Sequence, residues 1–537
     1  MFARLLALVA SALVLLAGCA EGTLPPPGDS HDDAGAAGSG GQAGAGQDSA
    51  RGGTRYVPTE EELDAPRPPA AGADIDPDFS LRLEAEEGEL GGDAEIGTDA
   101  ASGDGYVDLS SSGTISWEVD LDQAGDYALA IRARVTPGYG PKVNGIRVDG
   151  SSVSDFTVKE SSTLYEISPV WVQLQAGTQS LQLRARWGYT DIDWVELRPI
   201  DPSYLDVEPT LVTPNASTAA RRLMHYLERQ YGRKTLSGQQ GLNYAKTVYS
   251  MVGKYPAVLG VDLIDYSPSR VERQPLVPGH GAVEDAIDWW ESYGGIVTVL
   301  WHWNAPTGLI DTITTDANGN VVDLSWYRGF YTDATTFDLA AALADPESDD
   351  YGLLLRDIDA IADQLERLSD HDIPVLWRPL HEASGGWFWW GASGPDAYLE
   401  LWHLMFDRLT NVHGLTNLIW VWNGQDPDYY PGDDTVDIVS EDYYARQLDY
   451  SPQLGRFGAA TAYSSVPKIV ALSENGTLLD PDRLAESRAG WSWFCLWSGS
   501  DYFDPSYNEA SMFEAVYTSD QILTLDELPD LTVYPLP

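Results

Sequence analysis

The chain has 537 residues, is 43% hydrophobic and carries 19 Trp and 28 Tyr. That length leaves room for several domains, and that apolar content excludes a wholly disordered chain. The formal net charge of −50 argues against nucleic acid and anionic lipid as partners; it suits a neutral partner or a salty, extracellular medium, or serves solubility alone.

The N-terminus reads as an export signal. Arg4 precedes an apolar run from Leu5 to Ala17 that is too short to span a bilayer. The run ends in Leu16-Ala17-Gly18-Cys19, which resembles a bacterial lipobox. The resemblance implies that residues 1–19 are a lipoprotein signal and that Cys19 carries the lipid. An ordinary signal peptide is the alternative. The expectation is an exported, membrane-anchored lipoprotein at the cell surface or outer membrane, touching the membrane only through its lipid. Residues 20–78 are poor in large apolar side chains and read as a flexible Gly/Ala/Pro/Asp-rich linker. The one other cysteine, Cys495, sits in the apolar run WSWFCLW and reads as a buried thiol, so no intrachain disulfide framework is expected.

Residues 79–200 alternate with period two. In ISWEVDL, Ile115, Trp117, Val119 and Leu121 share one face, and YALAIRARV and SLQLRARW repeat the pattern between Gly and Asp turns. This predicts an antiparallel β-sandwich, jelly-roll-like in class.

From 208 to 537 helical segments alternate with short apolar strands. LLLRDIDAIADQLERL puts Leu354, Ile358, Ile361, Leu365 and Leu368 on one helical face. Eight strand candidates, from KTLSGQQ to WSWFCLWSG, predict a closed (β/α)8 TIM barrel with functional side chains at the C-terminal strand ends. Those ends collect Gln239 and Gln240; Asp262, Asp265 and Tyr266; Trp301, His302, Trp303 and Asn304; Arg378, His381 and Glu382; Trp422 and Asn423; Asp442, Tyr443 and Tyr444; Glu474; and Trp497. Any one of these alone reads as a satisfied core polar group; eight together do not. Glu382 and Glu474 follow the fourth and seventh strands. Paired carboxylates at a barrel mouth suit glycoside hydrolysis, and aromatic faces suit the C–H face of a pyranose. A buried ion pair with Arg378 is the plainer reading of Glu382 taken by itself.

The motifs WRPLHEASGGWFWWG, ALSENG, LWHWNAP, GVDLIDYSPSR and YPGDDTVDIV resemble glycoside hydrolase family 26, most of whose members are endo-β-1,4-mannanases. The resemblance implies Glu382 as acid/base and Glu474 as nucleophile of a retaining enzyme. It implies His302, His381, Trp387, Tyr444 and Trp497 around the substrate; Trp303 and Arg378, at the same strand ends, are further substrate-binding candidates. Tyr444 is the tyrosine expected on the nucleophile, with Tyr443 as the rival register. The departure is Ala383-Ser384 after the acid, where the family often has Met-Asn, which puts a sugar contact in doubt and not the chemistry. His381 stands where most of the clan carries asparagine. No cofactor is expected for catalysis, and the expected partner of a monomeric enzyme is β-mannan, glucomannan or galactomannan. A mixed-linkage β-glucanase or β-1,3-xylanase of the same family, or a non-catalytic surface glycan-binding protein, are the alternatives.

The sandwich motifs LEAEEGEL, GDGYVDL, AGDYALAIRA and WGYTDIDWVEL resemble carbohydrate-binding module family 35. Glu84 and Glu86 read as two acids on one strand face, unfavourable unless a cation joins them. The resemblance implies a structural calcium on Glu84, Glu86 and Asp193, with a solvated acidic edge as the alternative. Trp187 and Tyr189 are the candidates for glycan binding, and a core place for Trp187 is the alternative.

Overall fold

The computed structural model describes residues 55–59, 65–98, 105–316 and 319–537. The signal segment, Cys19 and most of the predicted linker lie outside the described residues. No helix among the described residues is long and apolar enough to cross a membrane.

Two antiparallel sheets form the sandwich. One runs in the order 95–97, 106–108, 190–198, 125–135, 165–174, with 81–84 also paired to 190–198; the other runs 89–91, 114–121, 177–185, 142–148, 151–158. The predicted alternation holds in Thr114–Leu121, where Ile115, Trp117, Val119 and Leu121 are all buried between the sheets. It fails in Gly125–Val135, where 126–131 are buried on both faces. The reason is a second cover on this sheet's outer face. Ala128 and Trp171 belong to the same continuous core as the catalytic half.

Eight parallel strands close into the barrel in chain order: β1 (Gly238–Gln240), β2 (Val258–Asp262), β3 (Ile296–Leu300), β4 (Val375–Arg378), β5 (Leu418–Trp422), β6 (Ile438–Tyr443), β7 (Ile469–Asn475) and β8 (Phe494–Leu496). All eight predicted strand positions are occupied. Both faces of the strands are covered, so most of them read as apolar runs; β1, Gly-Gln-Gln, is the exception. The Asp349–Asp370 helix between β3 and β4 buries the predicted stripe of Leu354, Ile358, Ile361, Leu365 and Leu368.

The two halves pack directly on each other. Trp171 of the sandwich meets Tyr204 of the connecting segment and Phe457 of the Leu454–Thr461 helix edge-on, at 5.0 and 5.6 Å. Phe457 in turn packs on Trp491 at 5.1 Å, just before β8. The far end of the predicted linker is also docked, which corrects the reading of 20–78 as flexible throughout. Ala70 and Ala71 enter the barrel-side core, Tyr204 Oη accepts from the Ala71 amide at 3.0 Å, and Arg488 donates to the Ala70 carbonyl at 3.0 Å. Pro66, Pro68 and Pro69 lower the entropy lost when this strap is laid down, because their backbone is already extended.

Candidate active site

Arg378, the last residue of β4, is 1% exposed and forks between two carboxylates. Its Nη1 donates to Asp442 Oδ2 at 2.6 Å, and its Nη2 donates to Glu474 Oε1. Burial opposes the charge on Arg378, but Asp442 and Glu474 outweigh it and hold the guanidinium protonated above its ordinary range. A buried cation left unpaired is costly, so this fork fixes β4, β6 and β7 to one another at the mouth.

Beyond Arg378 the chain leaves the strand through two left-handed residues, Leu380 (φ 52°) and Glu382 (φ 51°). Neither is glycine, and such a backbone costs on the order of 1–3 kcal/mol per residue. It is held by neighbours: the Glu382 amide donates to the Asn423 carbonyl at 2.7 Å, and Trp390 Nε1 donates to the His381 carbonyl at 2.9 Å. The Glu382 carboxyl accepts one bond from Trp387 Nε1 at 2.8 Å. Burial first, and then the charge of Glu474, push its pKa up to about 7. A carboxyl so placed keeps a substantial protonated fraction at neutral pH and can donate.

Glu474, at the end of β7, is held differently. Besides the Arg378 bond, its Oε2 accepts from Tyr444 Oη at 2.8 Å. Tyr444 is therefore the expected tyrosine, and Tyr443 is not. Tyr443 points the other way and lies under the Arg456 guanidinium, 3.9 Å from its ring. One carboxylate oxygen each from Glu382, Asp442 and Glu474 lies within 4.8 Å of the other two. No other three-residue group of possible ligands comes this close among the described residues. Here Arg378 supplies the positive charge between two of the acids.

Two histidines complete the wall. His302 Nδ1 faces Asp262 Oδ2 at 2.7 Å, and its Nε2 lies 3.3 Å from His381 Nε2. Burial, then Arg378, then His302 hold His381 well below its ordinary pKa, so it is neutral. Trp497 packs against His302 at 5.9 Å. Trp303 is a correction. Its ring is fully buried, stacked on Trp301 at 4.3 Å, and its Nε1 donates to Asp357 Oδ2 of the Asp349–Asp370 helix at 2.9 Å. It supports the wall from behind and presents no face to the mouth. Asp262, Asn423 and Asp442 stood among the polar strand ends without an assigned role. Asn423 Nδ2 donates to Asp442 Oδ1 at 3.0 Å, so the acids belong to one hydrogen-bonded cluster.

On the sandwich, Trp187 and Tyr189 are 51% and 47% exposed, which removes the core reading of Trp187. Tyr139, which the sequence reading missed, stacks on Tyr189 at 5.0 Å, and Lys142 Nζ lies 4.2 Å over the Trp187 ring. Glu84 ends its strand and Glu86 lies in the Ala85–Glu87 turn, so the two acids are not strand neighbours as expected. They are still close enough that burial first, and Glu86 next, raise the pKa of Glu84. Glu86 Oε2 is buried without a hydrogen-bond partner, as an acid awaiting a cation would be. Asp193 already faces Arg132 at 2.5 Å. The fit to a cation thus rests on Glu84 and Glu86 more than on Asp193.

A closed (β/α)8 barrel with two mouth glutamates, one poised to donate a proton and one held by arginine and tyrosine, defines a glycoside hydrolase. The chain belongs to glycosyl hydrolase family 26, whose model matches residues 212–527; that of carbohydrate binding module family 35 matches residues 81–200. It is 42% identical over 483 residues to a mannan endo-1,4-beta-mannosidase of Thermothelomyces thermophilus, covering 89% of this chain and 94% of the relative. A mannan endo-1,4-beta-mannosidase B of Piromyces sp is 31% identical, over 84% of this chain and 77% of the relative. Among solved structures, the GH26-CBM35 beta-(1,4)-mannanase of Podospora anserina is 42% identical with a TM-score of 0.57, covering 84% of this chain and 98% of that one.

Proposed function

We propose that this protein is an endo-β-1,4-mannanase that works by retaining double displacement. The observation that carries the chemistry is the pair Glu382 and Glu474, close together and in opposite electrostatic settings. Glu382 gives its proton to the glycosidic oxygen as Glu474 attacks the anomeric carbon, so the C–O bond breaks while an ester to Glu474 forms. Esterification removes the Glu474 charge, which had raised the Glu382 pKa. The Glu382 carboxylate then takes a proton from water as water displaces Glu474. The approach of one oxygen from each acid, within 4.8 Å, is compatible with the short carboxyl spacing of about 5–5.5 Å in retaining enzymes.

The substrate reading rests on the mannanase relatives and on His381. Mannose differs from glucose in its axial 2-hydroxyl, and a neutral histidine beside the acid, tied to His302 and through it to Asp262, presents other donors and reach than asparagine. A site that pairs one hydroxyl rejects its misplaced counterpart, because a buried partner is left unsatisfied. Glucomannan tests this directly, since one chain offers both sugars. Sized and sequenced products should carry mannose at the new reducing end. Predominantly glucose-ended products would assign a β-glucanase instead.

Export, lipidation at Cys19 and a monomeric state remain part of the proposal. For the sandwich we propose a glycan-binding role, with Tyr139, Trp187 and Tyr189 as the exposed aromatic face. A calcium ion held by Glu84 and Glu86, with Asp193 nearby, would tie the first strand to the turn after it. Because the ion binds only the folded state, millimolar calcium should raise the melting temperature by about one degree, what about 1 kcal/mol of binding linkage gives when both halves unfold together. Glu86→Ala should abolish that rise. An equal rise in the variant would remove these ligands.

A further inference from the structure

The sandwich touches the catalytic half on the two elements that flank Asp442. The first is the Leu454–Thr461 helix after β6. Its glycines let the sheet come close: a Cβ on Gly458 would lie 2.3 Å from the Trp171 ring, and one on Gly455 would lie 2.1 Å from Ser154 Oγ. Between them, Arg456 turns back to the barrel. It lies over the Tyr443 ring at 3.9 Å, and its Nη1 is 3.5 Å from Glu441 Oε2. Tyr463 Oη donates to the other oxygen of Glu441 at 2.7 Å. On an extended strand, Glu441 and Tyr443 face outward while Asp442 faces the mouth. Pairing with β7 also slips by one residue between Glu441 and Asp442, after which Asp442 lies opposite Glu474. The outward clamp therefore acts where the strand is least regular.

The second contact is the loop after β5. Lys159 of the sandwich pairs with Asp426 at 2.5 Å and with Asp428 at 2.6 Å. The same loop carries Gln425, whose Nε2 donates to the Asp442 carbonyl at 3.0 Å, and Asn423, which bonds the Asp442 carboxylate.

We infer that the sandwich, besides any grip on polysaccharide, holds the nucleophile's wall of the active site in register, with Arg456 as the positioning residue that transmits the contact to Asp442 and Tyr444. Arg456 touches no reacting atom. It fixes the strand from which Asp442 pairs with Arg378 and beyond which Tyr444 reaches Glu474.

This inference rests on the mannanase reading for its kinetic test but not for its structural one. In the full chain, Arg456→Met should lower kcat on soluble mannohexaose by about tenfold, the scale of a small misplacement of reacting groups, with KM changed by less than about twofold. Arg456→Lys should recover part of the loss, since it keeps the charge toward Glu441 without the flat stack on Tyr443. Lys159→Met, on the sandwich side, should give a smaller loss of the same kind. Amide hydrogen exchange over 438–444 should rise in Arg456→Met and in Lys159→Met. Unchanged kcat with unchanged exchange would overturn the inference, as would a loss confined to KM, which is what a purely substrate-gripping sandwich gives. If Arg456→Met does not fold, Lys159→Met decides by the same two readouts. A wild-type enzyme inert on mannohexaose would overturn the substrate reading, and the exchange data would still judge this inference.

Discussion

Glu474→Ala will abolish turnover of mannan and of activated aryl mannosides alike, by more than about 10⁴-fold, because no covalent intermediate can form on either substrate. The substitution also removes one of the two acids on Arg378, leaving that buried cation with Asp442. Losing one partner of a buried pair costs about 3–5 kcal/mol, so melting must be followed beside activity. A small anion separates the two effects. In a folded Glu474→Ala, azide can enter the space left by the carboxylate and attack an activated β-mannoside from the same side, giving the α-mannosyl azide. Azide rescue with that stereochemistry identifies the nucleophile. A β product from the rescued variant, or retained turnover without azide, would assign the role elsewhere.

Glu382→Ala should fail in a different way. General acid catalysis contributes about 10²–10⁴-fold, and only where the leaving group needs a proton. Mannan hydrolysis should therefore fall by about that factor. A dinitrophenyl mannoside needs no acid, so it should still form the ester on Glu474 and then stall for want of a base, giving a burst of one equivalent. The pH profile carries the same assignment. The Glu382 pKa stands raised at about 7, and its working form in the first step is the protonated one. Wild-type kcat/KM on mannan should hold below that value and decline as pH rises through it. In Glu382→Ala with the activated substrate this alkaline decline should vanish. Its persistence would place the titrating acid on another residue.

The sequence carried the barrel well because most strands are short apolar runs with polar residues at or just beyond their ends, a pattern that needs no tertiary knowledge. It carried the two acids because carboxylates at such ends have few structural uses. It did not reveal which way Trp303 points. That residue lies beyond the last strand position, Leu300, where two-residue alternation no longer fixes direction. The links from Asp262 to His302 and from Asn423 to Asp442 join residues far apart in the chain, and no spacing rule reaches them. Glu86 was named but misplaced on the strand for a local reason: the strand ends at Glu84 and a turn begins, although the acidic run LEAEEGEL has no Gly or Pro before Gly88 to mark it. The docked strap and the sheet covered on its outer face were hidden by composition. Ala128 looks like a neutral filler until the Trp171 face beside it is found against the barrel.

That shared apolar seam through Trp171, Tyr204, Phe457 and Trp491 has a thermodynamic consequence. Neither half can melt without stripping the other's core, so calorimetry should record one cooperative transition where a bead-on-string enzyme would record two. Anything that binds only the folded sandwich then stabilises the whole unit by mass action. A glycan on the aromatic face around Trp187, touching nothing in the barrel, would raise the temperature at which the acids of the cleft lose their arrangement. The polysaccharide would thus act as a thermal protectant for the machine that degrades it.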